Sequence, residues 1–314
     1  VAKVVGDRLQ VIDRVSSSHE LAMTAIAEGR SLVQVIEERQ GSQFYNYDQV
    51  IQDCRVLPPI DHPDPARCWI TGTGLTHLGS ASARDKMHAS ATEAGTKTDS
   101  MKMFEMGLAG GKPGPGEAGV QPEWFYKGNG YSVVRPGGPV VSPAFALLDG
   151  EEIEICALYV IGPGGIPYRV GFALGNEFSD HRMEKINYLY LAHSKLRVCS
   201  FGPELRLGSL PGDVRGVSRI IRSSRTAWER AFASGEANMS HSLANLEHHH
   251  FKYALFRQPG DVHCHFLGTA TVSFSEGFEP QPGDVFEMEA EGFGRPLRNV
   301  LTKQPAEDFV VKEL

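Results

Sequence analysis

The chain of 314 residues carries 31 Lys and Arg against 38 Asp and Glu, and 41% of its residues are hydrophobic. This length and composition are typical of a globular protein with a sizeable core, and they exclude a largely disordered chain. The formal net charge of −7, with no block of Lys or Arg, argues against nucleic acid as a general partner.

The cysteine and apolar patterns bear on cellular location. The five Cys residues are odd in number and scattered, which is typical of reduced thiols and not of a disulfide framework. The longest purely apolar run, residues 155–161, is far shorter than the roughly 20 residues of a membrane span. Lys3 and Asp7 interrupt the opening stretch where a secretory signal would be apolar. We therefore expect a cytoplasmic protein with no membrane partner.

Two helices are predicted near the start of the chain. Ser18 can cap a helix over residues 20–28, and Gly29 can end it. Ser31 can cap a second helical run over residues 32–39. We therefore expect a small helical N-terminal segment.

A proline-rich stretch follows these helices. Residues 58–66 contain four prolines in nine positions, and such a stretch continues neither a helix nor a central strand. We predict that it joins a small N-terminal segment, residues 1–67, to a main domain, residues 68–314.

The main domain is predicted to be rich in β-strands. Residues 68–75 favour a strand that ends in a glycine turn, and residues 84–120 favour a helix followed by a Gly/Pro-rich lid loop. Residues 217–256 are predicted to be helical. The remaining strand-like runs are EWFYKG, YSVV, GPVV, EIEICALYVIG, YRVGFALGNEF, CHFLGTATVSF and VFEMEAEGF. This order predicts an α+β fold with a β-rich core and helices at its margins.

Two adjacent strands bring acidic side chains to one place. Glu152 and Glu154 lie two positions apart, so both carboxylates share one face of a strand. An exposed strand face would also tolerate such a pair. The next strand places small residues on one face and ends with Glu177, which can complete a cage of three carboxylates. Carboxylate oxygens without a thiolate suit Mg²⁺, with Mn²⁺ as an alternative.

The order of these motifs resembles the fumarylacetoacetate hydrolase superfamily, over roughly residues 70–300. The matching pieces are Glu152/Glu154, Asn176-Glu177-Phe178-Ser179, Lys195, Gly202-Pro203, Trp124–Lys127, Gly268-Thr269 and the segment 282–294. The resemblance implies a β-rich mixed-sheet roll, a homodimer, and a metal held by Glu152, Glu154 and Glu177.

The sequence departs from the family pattern at positions that hydrolytic members use, which argues against a hydrolase. Hydrolytic members carry G-L-N-Y-x-x-H-x-x-E after the first strand, and the His and Glu of this motif activate water. This chain has Ser80 and Ala83 at those two positions, so it lacks that dyad. The third metal carboxylate, usually Asp, is Glu177, and His181 replaces a usual Arg.

A branch of the superfamily that dehydrates 2-keto-3-deoxy sugar acids resembles this chain in its G-L-T-H turn and its EWFYKG run. The resemblance implies a lyase that converts a 2-keto-3-deoxypentonate, derived from L-arabonate or D-xylonate, to 2,5-dioxopentanoate in pentose catabolism. Lys195, Glu123 and His77 are the predicted catalytic residues. Thr269, His181, Lys127 and Arg84 are the predicted substrate-binding residues.

Other activities stay open from the sequence. The same fold could serve a 2,4-diketo acid (acylpyruvate-type) hydrolase, or a 2-keto acid decarboxylase or tautomerase. A non-catalytic sugar-acid binding protein would keep the metal cage without turnover. A Schiff base on Lys195 would make the reaction independent of metal.

Overall fold

The structure is a computed structural model that describes residues 1–80 and 97–314. It has the predicted α+β architecture. The strands of the described part are β1 Ala2–Val5, β2 Arg8–Ile12, β3 Gln40–Asn46, β4 Cys68–Gly74, β5 Glu123–Asn129, β6 Val133–Val134, β7 Pro139–Ser142, β8 Asp149–Gly150, β9 Ile153–Ile161, β10 Pro167–Asn176, β11 Ser179–Asp180, β12 Cys199–Phe201, β13 Val214–Arg222, β14 Arg225–Ser234, β15 Val262–Phe266, β16 Val285–Ala290 and β17 Leu297–Lys303. The α-helices are α1 Ser18–Glu28, α2 Leu32–Glu38, α3 Tyr47–Gln52, α4 Asp99–Gly110, α5 His181–Ile186, α6 Leu191–Lys195 and α7 Leu243–Phe251.

The N-terminal segment contains both predicted helices together with a small sheet. Helix α1 begins at Ser18, two residues before the predicted start, because Ser17 and not Ser18 accepts the hydrogen bond from the Glu20 amide. Ser31 caps α2 as expected, in a reciprocal capping box with Gln34. Strands β1, β2 and β3 form an antiparallel sheet that the sequence analysis did not predict. The division of the chain after residue 67 stays a prediction.

A seven-stranded mixed sheet forms the centre of the protein, in the order β5-β4-β15-β9-β10-β12-β6. Both faces of the central strand β9 are buried, because alternate side chains enter two different cores. Ile153 and Ile155 enter the core under the five-stranded sheet, whereas Cys156 and Leu158 enter the core under α1. This double burial explains why β9 is apolar at every position except Glu154.

The seven-stranded sheet is curled. Lys127 lies on the edge strand β5, and yet its Nζ contacts the Glu177 carboxylate at the end of β10, four strands away in the sheet. The curl therefore brings residues from distant strands around one point on the concave side.

A second sheet has five strands, in the order β14-β13-β16-β17-β7. It packs against the seven-stranded sheet through the core that contains Ile153 and Ile155. Two of its strands, β13 and β14, lie in the stretch 217–256 that was predicted to be helical, so the prediction is wrong for the first part of this stretch. Strands β13 and β14 form an antiparallel hairpin, and β13 also pairs with the distant strand β16. Helical structure in this stretch is confirmed only from residue 236 onward, chiefly in α7.

The helices of the main domain are short and lie at the ends of the strands. Helix α4 falls inside the predicted lid over residues 84–120, of which residues 84–96 lie outside the described part of the chain. None of the helices in the described part has the length and apolar character that crossing a lipid bilayer requires.

Candidate active site

Three buried carboxylates meet at the end of the central strands. Glu152 directly precedes β9, Glu154 lies within it, and Glu177 directly follows β10. The antiparallel register pairs Gly175 with Glu154, and the Glu177 amide donates to the Glu152 carbonyl at 2.9 Å. One carboxylate oxygen from each Glu lies within 4.8 Å of the other two. The predicted cage is therefore formed by the register of two adjacent strands.

This donor set fits a hard divalent cation. Each carboxylate offers oxygen, the ligand that Mg²⁺ and Mn²⁺ prefer, and no thiolate lies among the three. The cavity beside the carboxylates has a volume of about 40 Å³, which holds roughly three water molecules. Mg²⁺ keeps several waters when few protein ligands bind it, so this volume suits a partly hydrated ion.

Lys195 lies in the middle of the cluster. It ends helix α6, and its Nζ donates to Glu152 Oε1 at 2.6 Å and to Glu177 Oε2 at 2.5 Å. Burial alone would lower the pKa of Lys195, but the two carboxylates outweigh burial and raise it. In the metal-free protein Lys195 is therefore a cation beside the three carboxylates that could hold a metal.

Lys127 and Ser179 fix the orientation of Glu177. The Lys127 ammonium contacts Glu177 Oε1 at 2.5 Å and donates to the backbone carbonyls of Phe178 and Lys195. The Ser179 hydroxyl lies 3.1 Å from both carboxylate oxygens of Glu177. Lys127 was predicted to bind substrate, but in the structure protein groups engage its ammonium. It orients the Glu177 carboxylate, and its contact with substrate stays a prediction.

The electrostatic balance of the three carboxylates is uneven. Burial and then the charges of Glu177 and Glu152 raise the pKa of Glu154 well above its usual value. Burial also raises the pKa of Glu177, and Lys127 and Lys195 only partly offset this increase. Burial acts the same way on Glu152, but Lys195 and His181 outweigh it, so its pKa is lowered. Of the three, Glu154 is therefore the carboxylate whose charged form the metal-free protein stabilises least.

A glycine turn supports the Glu154 side of the cluster. The Gly268 amide donates to Glu154 Oε2 at 2.7 Å. Gly268 has a φ of +91°, and a Cβ at this position would lie 2.4 Å from Thr76 Oγ1. Only glycine satisfies both the left-handed backbone and this close approach. Thr269, predicted to bind substrate, follows it and lines the cavity.

His181 also lies at the cluster. Its Nε2 is 3.1 Å from Glu152 Oε1, and its ring stacks on Phe274. Burial lowers the pKa of His181, but the Glu152 carboxylate outweighs burial and raises it. The side chain lines the cavity, which is compatible with the predicted contact to substrate.

His77, a predicted catalytic residue, does not belong to the cluster around the three carboxylates. Its Nε2 is 2.8 Å from the Ser234 hydroxyl and its Nδ1 is 3.1 Å from Thr76 Oγ1, so both ring nitrogens contact protein. Burial lowers the pKa of His77 to about 3. His77 does not line the cavity beside the carboxylates. The structure therefore places this predicted catalytic residue as a neutral support of the Gly74–Ser80 turn.

Glu123 lies at the start of β5, on the same face as Phe125, which lines the cavity. The side chain is 5% exposed, and its Oε2 accepts a hydrogen bond from the Tyr188 hydroxyl at 2.7 Å. A second cavity of about 300 Å³ begins at these two residues. Arg84, predicted to bind substrate, lies outside the described residues.

Of the two positions where hydrolytic members carry His and Glu, the structure describes only the first, Ser80. Ser80 lines the cavity, and its hydroxyl donates to the His77 carbonyl at 2.6 Å. A hydroxyl is no substitute for an imidazole as a base near neutral pH. Ala83 lies outside the described part of the chain.

The sequence analysis missed several residues of the site. Glu184 lines the cavity, and its position three residues after His181 on α5 was a usable signal. Arg197 donates to the buried carboxylates of Asp149 and Asp180 and so holds α6 against the strand ends. No local sequence pattern indicated this ion network.

No family model and no curated protein matches the sequence. Solved structures do match. A 2-keto-3-deoxy-D-arabinonate dehydratase in its apo form has a TM-score of 0.70 and 17% identity, over 97% of this chain and 95% of that chain. A 2-keto-3-deoxy-D-arabinonate dehydratase in complex with magnesium and 2,5-dioxopentanoate gives the same TM-score of 0.70 at 16% identity, over 97% of this chain and 95% of that chain. The fold predicted from the resemblance is confirmed.

Other matching structures have different activities. A 5-carboxymethyl-2-hydroxymuconate delta-isomerase from Mycobacterium smegmatis has a TM-score of 0.56 and 16% identity, over 86% of this chain and 88% of that chain. Dehydratases and isomerases thus share this fold. The likeness therefore establishes the architecture, and the choice of activity depends on the site.

Proposed function

We propose that the protein is a Mg²⁺-dependent hydro-lyase that converts a 2-keto-3-deoxypentonate to 2,5-dioxopentanoate. The observation that carries this proposal is the buried cage of Glu152, Glu154 and Glu177 with Lys195 bound to two of its members. Ser80, in place of a base, favours elimination over hydrolysis, because cleavage by water needs a group that activates it. The dehydratase structures of the same fold add support.

Glu152, Glu154 and Glu177 would hold the metal. When bound, Mg²⁺ supplies a Lewis acid that polarises the keto group of the substrate and makes its C3 protons more acidic. Lys195 adds a fixed positive charge where negative charge develops during proton removal. Thr269, which lines the same cavity, can hydrogen-bond the substrate carboxylate.

Glu123 and Tyr188 are the groups that can move protons. The Glu123 carboxylate takes a proton from C3, and the C4 hydroxyl departs as water with a proton from an acid. This elimination gives an unsaturated keto acid with a hydroxyl on C5. A proton then moves from C5 to C3, which gives an enol with a C4=C5 double bond, and transfer of the enol O–H proton to C4 gives the aldehyde. Glu123 is suited to both transfers, because the Tyr188 hydroxyl donates to it at 2.7 Å and can stabilise its charged form.

The test is a substrate panel at fixed Mg²⁺ concentration, with product followed by ¹³C NMR. We expect 2,5-dioxopentanoate from D- or L-2-keto-3-deoxypentonate and no cleavage of an acylpyruvate. Cleavage of the acylpyruvate alone would contradict the proposal and indicate a hydrolase. Loss of CO₂, or only a shift of a double bond, would indicate a decarboxylase or a tautomerase.

Two controls test the roles of Lys195. Inactivation by borohydride in the presence of substrate would indicate a Schiff base on Lys195 and contradict its role as a fixed charge. Lys195→Met should lose activity, whereas Lys185→Met, on the exposed side of helix α5, should not.

We further propose that the protein is a cytoplasmic homodimer, as the family resemblance implies. Light scattering of the purified protein should give twice the mass of 34.3 kDa. A mass of one chain would contradict the dimer.

A further inference from the structure

We propose that the cavity of about 300 Å³ beside Glu123 is a subsite for the uncharged distal end of a 2-keto acid. This inference rests on the proposed function, because it assumes that the carboxylate and keto oxygens of the ligand bind at the Glu152/Glu154/Glu177 cage. It goes beyond the proposed function by naming the cavity that would determine which chain length and charge the substrate can have.

The two cavities are neighbours along β4 and β5. The small cavity is lined by Thr73, Gly74 and Phe125, and the large one by Thr73, Glu123 and Trp124. In the sheet, Thr73 pairs with Trp124 and Gly74 pairs with Glu123. Thr73 therefore lines both spaces, so the two cavities are neighbours at this end of the sheet.

The volumes assign different parts of a ligand to the two cavities. The small cavity, at about 40 Å³, has room for an ion and a few oxygens but not for a five-carbon acid. The large cavity, at about 300 Å³, reaches the lower end of the range for small-molecule pockets. Of the two spaces, only the larger can hold a chain longer than a keto carboxylate.

The chemistry of the large cavity suits an uncharged chain. Its described lining is mostly aromatic and apolar, with the Glu123 carboxylate and the Tyr188 hydroxyl near the metal side. No Lys or Arg belongs to this described lining. The Lys252 ammonium is exposed and is already engaged by the side chains of Gln121 and His249 at the edge of this lining. The Glu123 carboxylate would repel a second carboxylate on the ligand.

The cavity can be filled without disturbing the metal cage. Leu191, at the start of α6, is half-buried and lines the cavity, so a Trp at this position would occupy part of the space. Leu189 lies two residues earlier and is 82% exposed, so Leu189→Trp is a matched control that adds the same side chain outside the cavity.

The experiment measures binding to the Mg²⁺-loaded full chain by titration calorimetry. The probes are pyruvate, 2-oxopentanoate, 2-oxohexanoate and 2-oxoadipate. None has a C4 hydroxyl to lose, so binding is measured apart from dehydration. For the wild type we expect affinity to rise about fourfold per methylene from pyruvate to 2-oxohexanoate, which corresponds to about 0.8 kcal/mol each. We expect 2-oxoadipate to bind at least tenfold more weakly than 2-oxohexanoate.

Leu191→Trp should abolish the gain with chain length and leave the pyruvate affinity within twofold, and Leu189→Trp should change neither. Equal weakening of pyruvate and 2-oxohexanoate in Leu191→Trp would overturn the subsite, as would a wild type that binds all chain lengths alike. Binding of 2-oxoadipate as tight as that of 2-oxohexanoate would overturn the exclusion of charge.

Failure of the proposed function gives a different result. A protein that binds these keto acids with the expected dependence on chain length, but dehydrates no 2-keto-3-deoxypentonate, would keep the subsite and contradict the dehydratase. A wild type that binds none of the four probes would overturn the subsite together with the proposed metal-keto acid contact.

Discussion

Replacing Glu154 with Gln tests the charge balance of the cage most sharply. The three ligand oxygens lie within 4.8 Å of one another. At that separation, two carboxylates repel by about 3 kcal/mol for an effective dielectric constant of about 20. Holding the Glu154 carboxyl protonated at pH 7, against its ordinary pKa of 4.5, costs a similar amount, about 3 kcal/mol. Whether Glu154 is charged or protonated at pH 7, it therefore lowers the stability of the metal-free protein.

Glu154→Gln removes the charge but keeps an oxygen that can accept the Gly268 amide. In EDTA at pH 7 we expect its free energy of unfolding to exceed that of the wild type by up to about 3 kcal/mol. With Mg²⁺ the order should reverse, because ligand at about 1,000 times its Kd adds about 4.1 kcal/mol to a protein that binds it. Glu229→Gln, on the exposed hairpin, is the matched control and should match the wild type in both buffers.

The raised pKa of Glu154 also predicts how the free energy of unfolding depends on pH. Because the pKa of Glu154 is raised on folding, the native state binds more protons than the unfolded state above pH 4.5, and stability falls as pH rises from there. Glu154→Gln should flatten this fall. Glu152 acts in the opposite direction and at lower pH, because its pKa is lowered. Urea unfolding between pH 5 and 8 measures the slopes. A Glu154→Gln variant less stable than the wild type in EDTA, or equally stabilised by Mg²⁺, would refute this reasoning.

Three further substitutions test individual contacts of the site. Lys195→Met should cost about 3–5 kcal/mol of metal-free stability, because it removes the cation that the buried Glu152 and Glu177 carboxylates share, and a thermal melt equal to that of Lys185→Met would contradict this. Gly268→Ala should lose activity and stability together, since its Cβ would meet backbone and side-chain oxygens, and full activity would show that the turn can move. Arg197→Met should cost about 3–5 kcal/mol in urea unfolding because it leaves the buried Asp149 carboxylate without its cation, and an unchanged midpoint would contradict that.

The metal cage could be found from the sequence because it depends on local geometry. Glu152 and Glu154 share a face through the alternation of one strand, and Glu177 follows the next strand in an antiparallel pair. Short-range alternation and family order were enough to name all three residues of the cluster.

Long-range pairing explains the error over residues 217–256. The hairpin of β13 and β14 turns at Ser223 and Ser224, both of which have positive φ. Such turns usually carry Asn or Gly, so two serines gave no turn signal. The partner strand β16 lies about 70 residues away, beyond the reach of a local pattern.

The orientations of His77 and Lys127 were equally beyond local reasoning. Lys127 reaches Glu177 only because the sheet curls, and His77 turns toward Ser234 on the other sheet. The contact between Tyr188 and Glu123 depends on the same curl, so no spacing in the sequence indicated it.

The measurement that tests the central claim most directly is the dehydration of 2-keto-3-deoxypentonate before and after EDTA, with Mg²⁺ then added back. We expect formation of 2,5-dioxopentanoate to stop with EDTA and to return with Mg²⁺ in the wild type, and to stay absent in Glu154→Gln. Dehydration that is indifferent to EDTA would contradict the assignment of Glu152, Glu154 and Glu177 as ligands of a catalytic metal.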